Sequence, residues 1–318
     1  MSLVHLPGAI MNCLVLGGAG FIGRHLCKTL EAEGHQVLAF DLPPEDPKRN
    51  WPPIKNIHWI AGDFTRADSV KGLLDGVQVV YHLIGTTLPA SSNQNMLYDL
   101  ESNVAATLRL LDAIVARPKP PRLIFISSGG TVYGIPKEIP IREDHPTDPI
   151  CAYGVGKLAI EKYLLVYNKL YSLDYCILRL SNVYGPNQPL NREQGVIPIF
   201  LHRAFHNLPL EIWGDGSVVR DYLYVEDLCE ALISVKEYSG EERIFNIGSG
   251  QGYSLNDLIE IIGRILGYHV KCNYFPGRPY DVPQNVLNPA RASRELNWGP
   301  KIRIDEGIER LLPWIRKL

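Results

Sequence analysis

The stretch NCLVLGGAGFIG, residues 12–23, decides the fold, because an apolar run is followed at once by glycines and then by helix-forming residues. The apolar run predicts a buried strand. Gly17 permits the tight turn, Gly20 lets backbone amides approach a diphosphate, and Gly23 lets the next helix pack closely on the strand. The positive end of that helix then faces an anion. Glycines also form ordinary strand-to-helix turns, so the pattern needs support from its surroundings.

In the chain that follows, short β-branched runs alternate with helical stretches. This alternation predicts a parallel sheet covered by helices. The predicted strands are Cys13–Leu16, Val37–Asp41, His58–Ala61, Val77–Leu83, Leu123–Ser127 and Cys176–Leu180. We therefore predict an α/β fold with a Rossmann doubly wound sheet in residues 11–185, to which residues 218–250 return through the run Arg243–Ile247. A smaller mixed α/β substrate-binding domain is predicted from residues 186–217 and 251–318.

Composition narrows the classes of function. The chain has 318 residues, 46% of them hydrophobic, and its 32 Lys and Arg nearly balance 34 Asp and Glu. A large core is therefore available, and no basic field indicates nucleic acid or an anionic membrane. Six scattered cysteines without CxxC spacing indicate a reducing cytosol and no metal site. No apolar run reaches the roughly 18 residues of a membrane span, and no signal peptide is evident, so we expect a cytoplasmic protein acting on small molecules.

Asp41 ends the second predicted strand, 18 positions after Gly23. A carboxylate there can accept hydrogen bonds from both ribose hydroxyls of NAD and would repel the 2′-phosphate of NADP. Three cations could pair with such a phosphate, so NADP is disfavoured rather than excluded: Arg24, Lys48 and Arg49. Asp41 could instead serve as a turn or cap residue. Asp63, in AGDF, could likewise meet the adenine or cap the next helix.

YGVGK places Tyr153 and Lys157 four positions apart on one helix face. An ammonium beside a phenol favours the phenolate, which could act as a base near neutral pH. Alone, this spacing is typical of a solvated face. Catalysis becomes the better interpretation beside the dinucleotide motif and the stretch ISSGGTVYG, residues 126–134, which ends a strand in hydroxyls. Gly129 and Gly130 are expected to leave room for a ligand there.

The ordered motifs resemble those of the extended short-chain dehydrogenases/reductases, in particular the UDP-hexose 4-epimerases, from Met11 to the C-terminus. The landmarks are GGAGFIG, HLIG at 82–85, Asn103, SSGGTVYG, YGVGK, LRLSNVYGP, GDGSVVRDYLYVEDL, FNIGSG, and GRPYDVPQN followed by RELNW. The resemblance implies the following contacts with NAD: Gly17, Gly20, Phe21, Ile22, Gly23, Asp41, Asp63, Phe64, Leu83, Ile84, Gly85, Asn103, Ser127, Tyr153 and Lys157.

The resemblance also implies the reaction. Tyr153 would take the proton of the sugar C4 hydroxyl while the C4 hydride passes to bound NAD, and the resulting 4-keto sugar would accept the hydride on its other face. Lys157 would hold the nicotinamide ribose. Gly129 stands where the family usually has a second catalytic hydroxyl, so that hydroxyl would come from Ser128, from Thr131 or from a shifted backbone, with Ser128 slightly favoured.

For the substrate, the resemblance implies phosphate, ribose and sugar contacts from Asn182, Arg220, Arg278, Asp281 and Asn285. Asn285 stands where a bulky aromatic residue restricts the pocket in glucose-only epimerases. Its middling size favours tolerance of a 2-acetamido group, with UDP-glucose still possible. Gly195 replaces a common asparagine, so the backbone would supply hydrogen bonds there.

Proteins of the same fold also have other functions. Dehydratases and decarboxylases carry acidic residues at the strand end, where this chain has Gly130 and Thr131, so both are disfavoured. A 4-reductase and a non-catalytic NAD sensor are further alternatives; sensors typically lose the tyrosine or the lysine, which this chain keeps. The helical stretches near 103–116 and 153–170 are apolar almost all round, which indicates burial in an oligomer or under other parts of the same chain. The resemblance implies that these helices pair across a twofold axis, so we predict a homodimer formed through them.

Overall fold

A computed structural model describes residues 9–44, 54–66, 69–190, 195–277 and 282–318. The strands are β1 (Asn12–Leu16), β2 (Gln36–Asp41), β3 (Ile57–Ala61), β4 (Val79–His82), β5 (Arg122–Ser128), β6 (Tyr175–Leu180), β7 (Asn182–Tyr184), β8 (Leu210–Trp213), β9 (Val219–Tyr224), β10 (Ile244–Ile247), β11 (Gly252–Ser254), β12 (Cys272–Phe275) and β13 (Gln284–Asn285). The helices are α1 (Phe21–Ala32), α2 (Pro89–Ser92), α3 (Met96–Asp99), α4 (Ala106–Val115), α5 (Ala152–Tyr171), α6 (Val196–Phe205), α7 (Val225–Lys236), α8 (Leu255–Leu266), α9 (Ala290–Leu296) and α10 (Ile304–Ile315), with a 3₁₀ turn at Lys71–Leu74 and a π-helical segment at Leu100–Ala105.

The main sheet has seven strands in the order β10-β6-β5-β4-β1-β2-β3. β1 pairs in parallel with both β2 and β4, so the chain direction across the sheet switches beside β1. Ligands of doubly wound sheets bind at the carboxyl ends of the strands at such a switch point. The predicted α/β fold is confirmed. All six predicted strands are present with ends moved by one or two residues, and the run predicted to return, Arg243–Ile247, contains the edge strand β10.

The sequence forms this sheet because its strands are apolar on both faces. All four residues of β4 and all six of β6 are buried, as expected for parallel strands covered by helices. The glycine turn after β1 fixes the approach of α1. Gly17 has φ +88° and donates its N–H to Phe40 O at 2.8 Å. A Cβ on Gly23 would lie 2.0 Å from Gly17 O, so only glycine lets α1 start so close to the strand.

The chain forms two compact units. The first comprises Met1–Ile126 with Cys151–Ile177, and the second comprises Ser127–Ile150 with Leu178–Leu318. In the second unit, α6, α8 and α10 bury side chains in one apolar core, including Leu201, Ile262 and Ile308, each 0% exposed. The predicted domain boundaries at 186, 218 and 251 remain a prediction.

The helical run from α3 to α4 contains an irregularity that the sequence did not reveal. A single helix was expected from Asn103 to Ala116, but Leu100–Ala105 is π-helical and only Ala106–Val115 is α-helical. Such segments occur frequently at functional sites. In the described part of the chain, no helix is both long and apolar enough to cross a membrane.

Candidate functional site

Asp41 lies at the end of β2 and helps to close the glycine turn. Its Oδ2 accepts a hydrogen bond from Ala19 N at 2.9 Å, and its Oδ1 accepts one from Leu42 N at 2.8 Å. Arg24 donates from Nη2 to Ala19 O at 3.0 Å, and burial lowers the pKa of its guanidinium while the Asp41 charge opposes this. The carboxylate therefore caps the glycine turn at the carboxyl end of β2.

Asp63 and Phe64 follow β3 but differ in which of their groups a ligand could contact. Asp63 Oδ1 accepts hydrogen bonds from Thr65 N at 2.9 Å and from Thr65 Oγ1 at 2.7 Å, and these bonds lower the pKa of the carboxyl. Phe64 is 5% exposed, with its ring centroid 5.0 Å from that of His82. The Phe64 side chain is a core residue, so only its backbone is available to a ligand.

The segment Leu83–Gly85 lies beside the glycine turn. Leu83 N donates to Leu16 O at 3.0 Å. The position of a Cβ on Gly17 would be 3.3 Å from Ile84 N, while a Cβ on Gly85 would meet nothing within 4 Å. This part of the predicted cofactor site therefore comes together, with open space at Gly85.

Asn103, within the π-helical segment, is held on every side. Its Oδ1 accepts from Thr86 N at 3.0 Å. Its Nδ2 donates to Asp99 O and to Asp99 Oδ1, both at 3.1 Å, and to Thr87 Oγ1 at 3.3 Å. The amide thus connects the loop after β4 to the helical run. Its orientation is fixed before any ligand binds.

Tyr153 and Lys157 lie in the first two turns of α5, whose start is anchored by a hydrogen bond from Tyr153 N to Ser92 Oγ at 2.9 Å. Lys157 is 6% exposed and donates from Nζ to Ile126 O at 2.9 Å. The Nζ atom lies 4.8 Å from the Phe125 ring centroid and 5.6 Å from the Tyr153 ring centroid. Tyr153 is partly exposed. A pocket is lined by Asp99, Asn103, Tyr153, Gly156, Lys157 and Ile160.

The electrostatics of this pair correct one expectation. Burial raises the pKa of the Tyr153 phenol to about 12, with the Cys151 and Asp99 charges acting in the same direction. Burial lowers the pKa of Lys157 to about 8, against the charges of Asp99 and Glu161. In the protein alone, desolvation therefore opposes the phenolate that a neighbouring ammonium was expected to favour. A positive charge brought by a ligand would favour the phenolate.

The strand end Ser127–Thr131 belongs to the second unit from Ser127 onward. Ser127 is 2% exposed, Ser128 is partly exposed, and the buried Thr131 Oγ1 has no hydrogen-bond partner among the described residues. A Cβ on Gly129 would lie 2.5 Å from Leu287 Cδ1, whereas one on Gly130 would meet only Ser128 Oγ at 3.7 Å. The expectation that both glycines leave room for a ligand is wrong for Gly129, whose space is filled by Leu287.

Three predicted substrate residues lie together on a small sheet in which β7 and β13 both pair with β9. Asn182 is exposed and donates to Asp221 O at 3.2 Å. Arg220 donates from Nη1 to Val282 O at 2.7 Å. Asn285 pairs with Arg220 in the strand register, is 1% exposed, and donates from Nδ2 to Gly129 O at 3.1 Å. Predicted residues that lie outside the described ranges are Lys48, Arg49, Arg278 and Asp281.

Gly195 has φ +99° and precedes α6, so its backbone conformation favours glycine. A Cβ there would also lie 2.9 Å from the Gln188 side chain. The glycine is thus explained by the local turn. Whether its backbone contacts a substrate remains a prediction.

Sequence reasoning missed three features. Asp99 is 3% exposed beside the Tyr153 and Lys157 pocket, and the signal was an acid one helical turn before Asn103. Asp221 is 0% exposed and accepts from Ser249 N, Gly250 N and Leu287 N, although burial raises its pKa. The rings of Trp213 and Phe275 stack with centroids 5.1 Å apart while 42% and 38% exposed, which suits a planar ligand.

Comparisons with known proteins agree with this geometry. A model of the NAD dependent epimerase/dehydratase family matches residues 13–248. A putative UDP-glucose 4-epimerase of Methanocaldococcus jannaschii is 35% identical over 95% of this chain and 98% of its own length. A dTDP-4-dehydro-6-deoxyglucose reductase of Escherichia coli is 33% identical over 95% of this chain and 97% of its own length. The crystal structure of UDP-glucose 4-epimerase with UDP-glucose from Thermotoga maritima superposes with a TM-score of 0.90 at 33% identity, covering 96% of this chain and 99% of that one.

Proposed function

Because the chain belongs to the NAD-dependent epimerase/dehydratase family, we propose that it interconverts the C4 epimers of a UDP-hexose while NAD stays bound. The observation that carries this is the pair Tyr153 and Lys157 on one helix, with Lys157 buried and Asn103 in the same pocket. Such a pair can move a proton at a sugar hydroxyl, which is the step that an epimerase, unlike a binding protein, requires.

The residues fit a dinucleotide. The glycine turn admits no Cβ at Gly23, leaves the N-terminus of α1 beside the end of β1, and is closed by the Asp41 carboxylate. In the proposal the turn and the backbone of Phe21 and Ile22 hold the diphosphate, and Asp41 holds the adenine ribose. Asp63, the Phe64 backbone and Leu83–Gly85 line the adenine and nicotinamide ends. Bound NAD would supply the hydride acceptor.

Tyr153 is the proposed base at the sugar O4. Burial raises the pKa of the phenol to about 12 in the protein alone, which favours its protonated form. Its conversion to phenolate therefore depends on positive charge that arrives with the cofactor. Lys157 is placed by Ile126 O and supplies a second positive charge and donors to a ribose. Ser128 and Thr131 are the proposed hydroxyl partners of O4, and Ser127 a cofactor contact.

For the UDP part we propose Asn182 and Arg220, together with Arg278 and Asp281. A guanidinium supplies a planar set of donors that suits a diphosphate. Asn285 is the proposed limit of the sugar pocket, and both UDP-glucose and UDP-N-acetylglucosamine are candidate substrates. Phe275 lies three residues before Arg278 and its ring stacks on that of Trp213, so we assign the two rings to the base.

A 4-keto-sugar reductase is the second candidate, favoured by the 33% identity to the reductase from Escherichia coli. The two activities differ in whether the cofactor leaves. An epimerase regenerates its NAD in each cycle, whereas a reductase consumes one reduced cofactor per product.

One experiment separates them. Purified protein is denatured to release and quantify bound NAD, and native protein is incubated with UDP-glucose or UDP-N-acetylglucosamine without added cofactor. C4 inversion followed by NMR is the expected result. If neither sugar is inverted while a 4-keto sugar is reduced with added NADH, the second candidate replaces the first.

We also propose a homodimer and a cytoplasmic location. Apolar side chains are exposed along α3, the π-helical segment and α5, including Leu97 (66%) and Leu170 (67%). Monomers rarely expose contiguous apolar surface of this kind, and a twofold pairing would cover it. Sedimentation equilibrium measures the molar mass directly; a monomer at micromolar concentration would contradict the proposal.

A further inference from the structure

Asp99 is a buried carboxylate that the proposed reaction does not use. It ends α3, directly before the π-helical segment, and is 3% exposed. Its Oδ1 accepts hydrogen bonds from Thr87 Oγ1 and from Asn103 Nδ2, the latter at 3.1 Å. Charged carboxylates are rarely buried unless something compensates the charge.

The other oxygen of Asp99 faces α5. A Cβ on Gly156 would lie 3.1 Å from Asp99 Oδ2, which is closer than side chains usually approach. The glycine that precedes Lys157 in YGVGK therefore leaves space for the carboxylate. Sequence alone gives no reason for glycine inside this helix, where it is unfavourable by about 1 kcal/mol relative to alanine.

The Asp99 charge acts on three ionisable groups on α5 and at its start: Cys151, Tyr153 and Lys157. Two further groups interact with Lys157: Glu161 on α5, and His82 on β4, whose pKa the Lys157 charge helps to lower. The Asp99 charge raises the pKa of Tyr153 and of Lys157, while Glu161 acts on Lys157. Asp99 thus acts electrostatically on both members of the pair.

We propose that Asp99 is a positioning residue of the active site, whose carboxylate fixes the Asn103 amide and lies in one pocket with Lys157 as its counter-charge. The proposal rests on the proposed function of that pair. Asp99 touches neither the sugar nor the cofactor in it. It acts through Asn103, Tyr153 and Lys157.

The test is Asp99→Asn, which keeps the shape and the acceptor for Thr87 but removes the charge. Without the carboxylate, Lys157 loses its proton at lower pH and Tyr153 also ionises at lower pH, so both limbs of the pH profile of kcat should move to lower pH. A neighbouring charge of this kind shifts a pKa by about one unit or more. A purely structural role would lower the rate at every pH and leave both limbs in place.

Glu101→Gln is the matched control, because Glu101 lies in the same helical run but is exposed. It removes one negative charge and should leave the profile unchanged. Asp99→Ala also removes the acceptor for Asn103, so it should lose bound NAD in addition to shifting the profile, whereas Asp99→Asn should retain NAD.

A readout without turnover separates this proposal from the proposed function. The ¹³C shift of the Lys157 ε-carbon, assigned by comparison with Lys157→Arg, reports the protonation of that amine in the protein as purified. A titration of Lys157 at lower pH in Asp99→Asn than in the parent supports the role of Asp99 even if no UDP-sugar is converted. Equal titration curves in a folded variant would overturn the proposal even in an active epimerase.

Discussion

Two regions of the molecule differ in whether their buried polar side chains have hydrogen-bond partners. In the first, which we term the bonded cluster (Thr87, Asp99, Asn103 and Thr107), the side chains bond to one another or to the backbone. In the second, which we term the open acceptors, the buried atoms Thr131 Oγ1, Ser181 Oγ and Asn285 Oδ1 have no hydrogen-bond partner among the described residues.

The bonded cluster is preorganised, whereas the open acceptors are available to bind a ligand. Polar atoms buried without partners are costly, and in native proteins they usually have an unseen partner such as water or a ligand. The bonded cluster keeps its geometry whether or not a ligand is bound. In the proposed function, the hydroxyls of a sugar would gain hydrogen bonds from the open acceptors.

Replacement of Tyr153 by Phe removes the proposed base but leaves the bonded cluster intact. Turnover of the UDP-sugar should fall roughly 10²–10⁴-fold, the usual contribution of a positioned acid or base. Bound NAD should be retained, because Asn103 and Lys157 keep their contacts. Initial rates and NAD released on denaturation measure the two effects separately. Undiminished turnover would remove Tyr153 from the mechanism.

His82 makes the region around the bonded cluster sensitive to acid. It is 1% exposed, lies 2.8 Å from Thr107 Oγ1 through Nε2, and burial lowers its pKa from 6.5 to about 3. Below about pH 6.5 the unfolded chain binds a proton that the folded chain excludes, so stability falls as the pH drops toward 3. Between about pH 7 and about pH 4 the loss from this group is on the order of 3 kcal/mol.

Urea unfolding at the two pH values measures this loss. His82→Gln keeps an amide that can bond Thr107 but has no proton to gain, so its stability should depend less on pH. If parent and variant lose the same free energy, the acid sensitivity arises elsewhere.

Gly129 and Gly130 form a matched pair beside the open acceptors. Gly129→Ala would place its Cβ 2.5 Å from Leu287 Cδ1, and since Leu287 is 0% exposed, the strain should cost about 1–3 kcal/mol. Gly130→Ala meets only Ser128 Oγ at 3.7 Å and should change stability little. Urea midpoints compare the two variants. Equal midpoints would mean that Leu287 moves aside freely.

Two threonines test the contrast itself. Thr131→Val removes a buried hydroxyl without a partner among the described residues, so it should stabilise the ligand-free protein by up to about 1 kcal/mol and weaken UDP-sugar binding. Thr107→Val removes a hydroxyl that donates to Asn103 O at 2.7 Å, so it should destabilise by about 1–2 kcal/mol. Urea unfolding should therefore show changes in the free energy of unfolding of opposite sign for the two variants. Changes of the same sign would mean that the two regions do not differ in this way.

The sheet could be predicted because its information is local. Each strand is a short apolar run, and the glycine motif indicates both the end of β1 and the start of α1. The pairing of Tyr153 with Lys157 follows equally from helical spacing. These features depend on residues within a few positions of one another.

What failed depends on contacts between distant residues. Gly129 is small because of Leu287, which lies 158 positions later, and its own neighbourhood contains no sign of this. Burial raises the pKa of the Tyr153 phenol, and the spacing of residues in the sequence does not reveal that burial. Asp99 resembles an ordinary helical acid until Gly156 of another helix is found against it. The roles assigned to individual site residues remain predictions.

The π-helical segment makes the orientation of Asn103 depend on chain length. A π turn accommodates one residue more than the α-helical turn, so deletion of a single residue from Leu100–Ala105 could restore a regular helix. Everything before the deletion would then rotate by about 100° relative to α4. The orientation of the Asn103 amide therefore depends on the number of residues in this segment as well as on the residue type. Relatives with the same residues but a different spacing between Asp99 and α4 would present a different surface to the pocket.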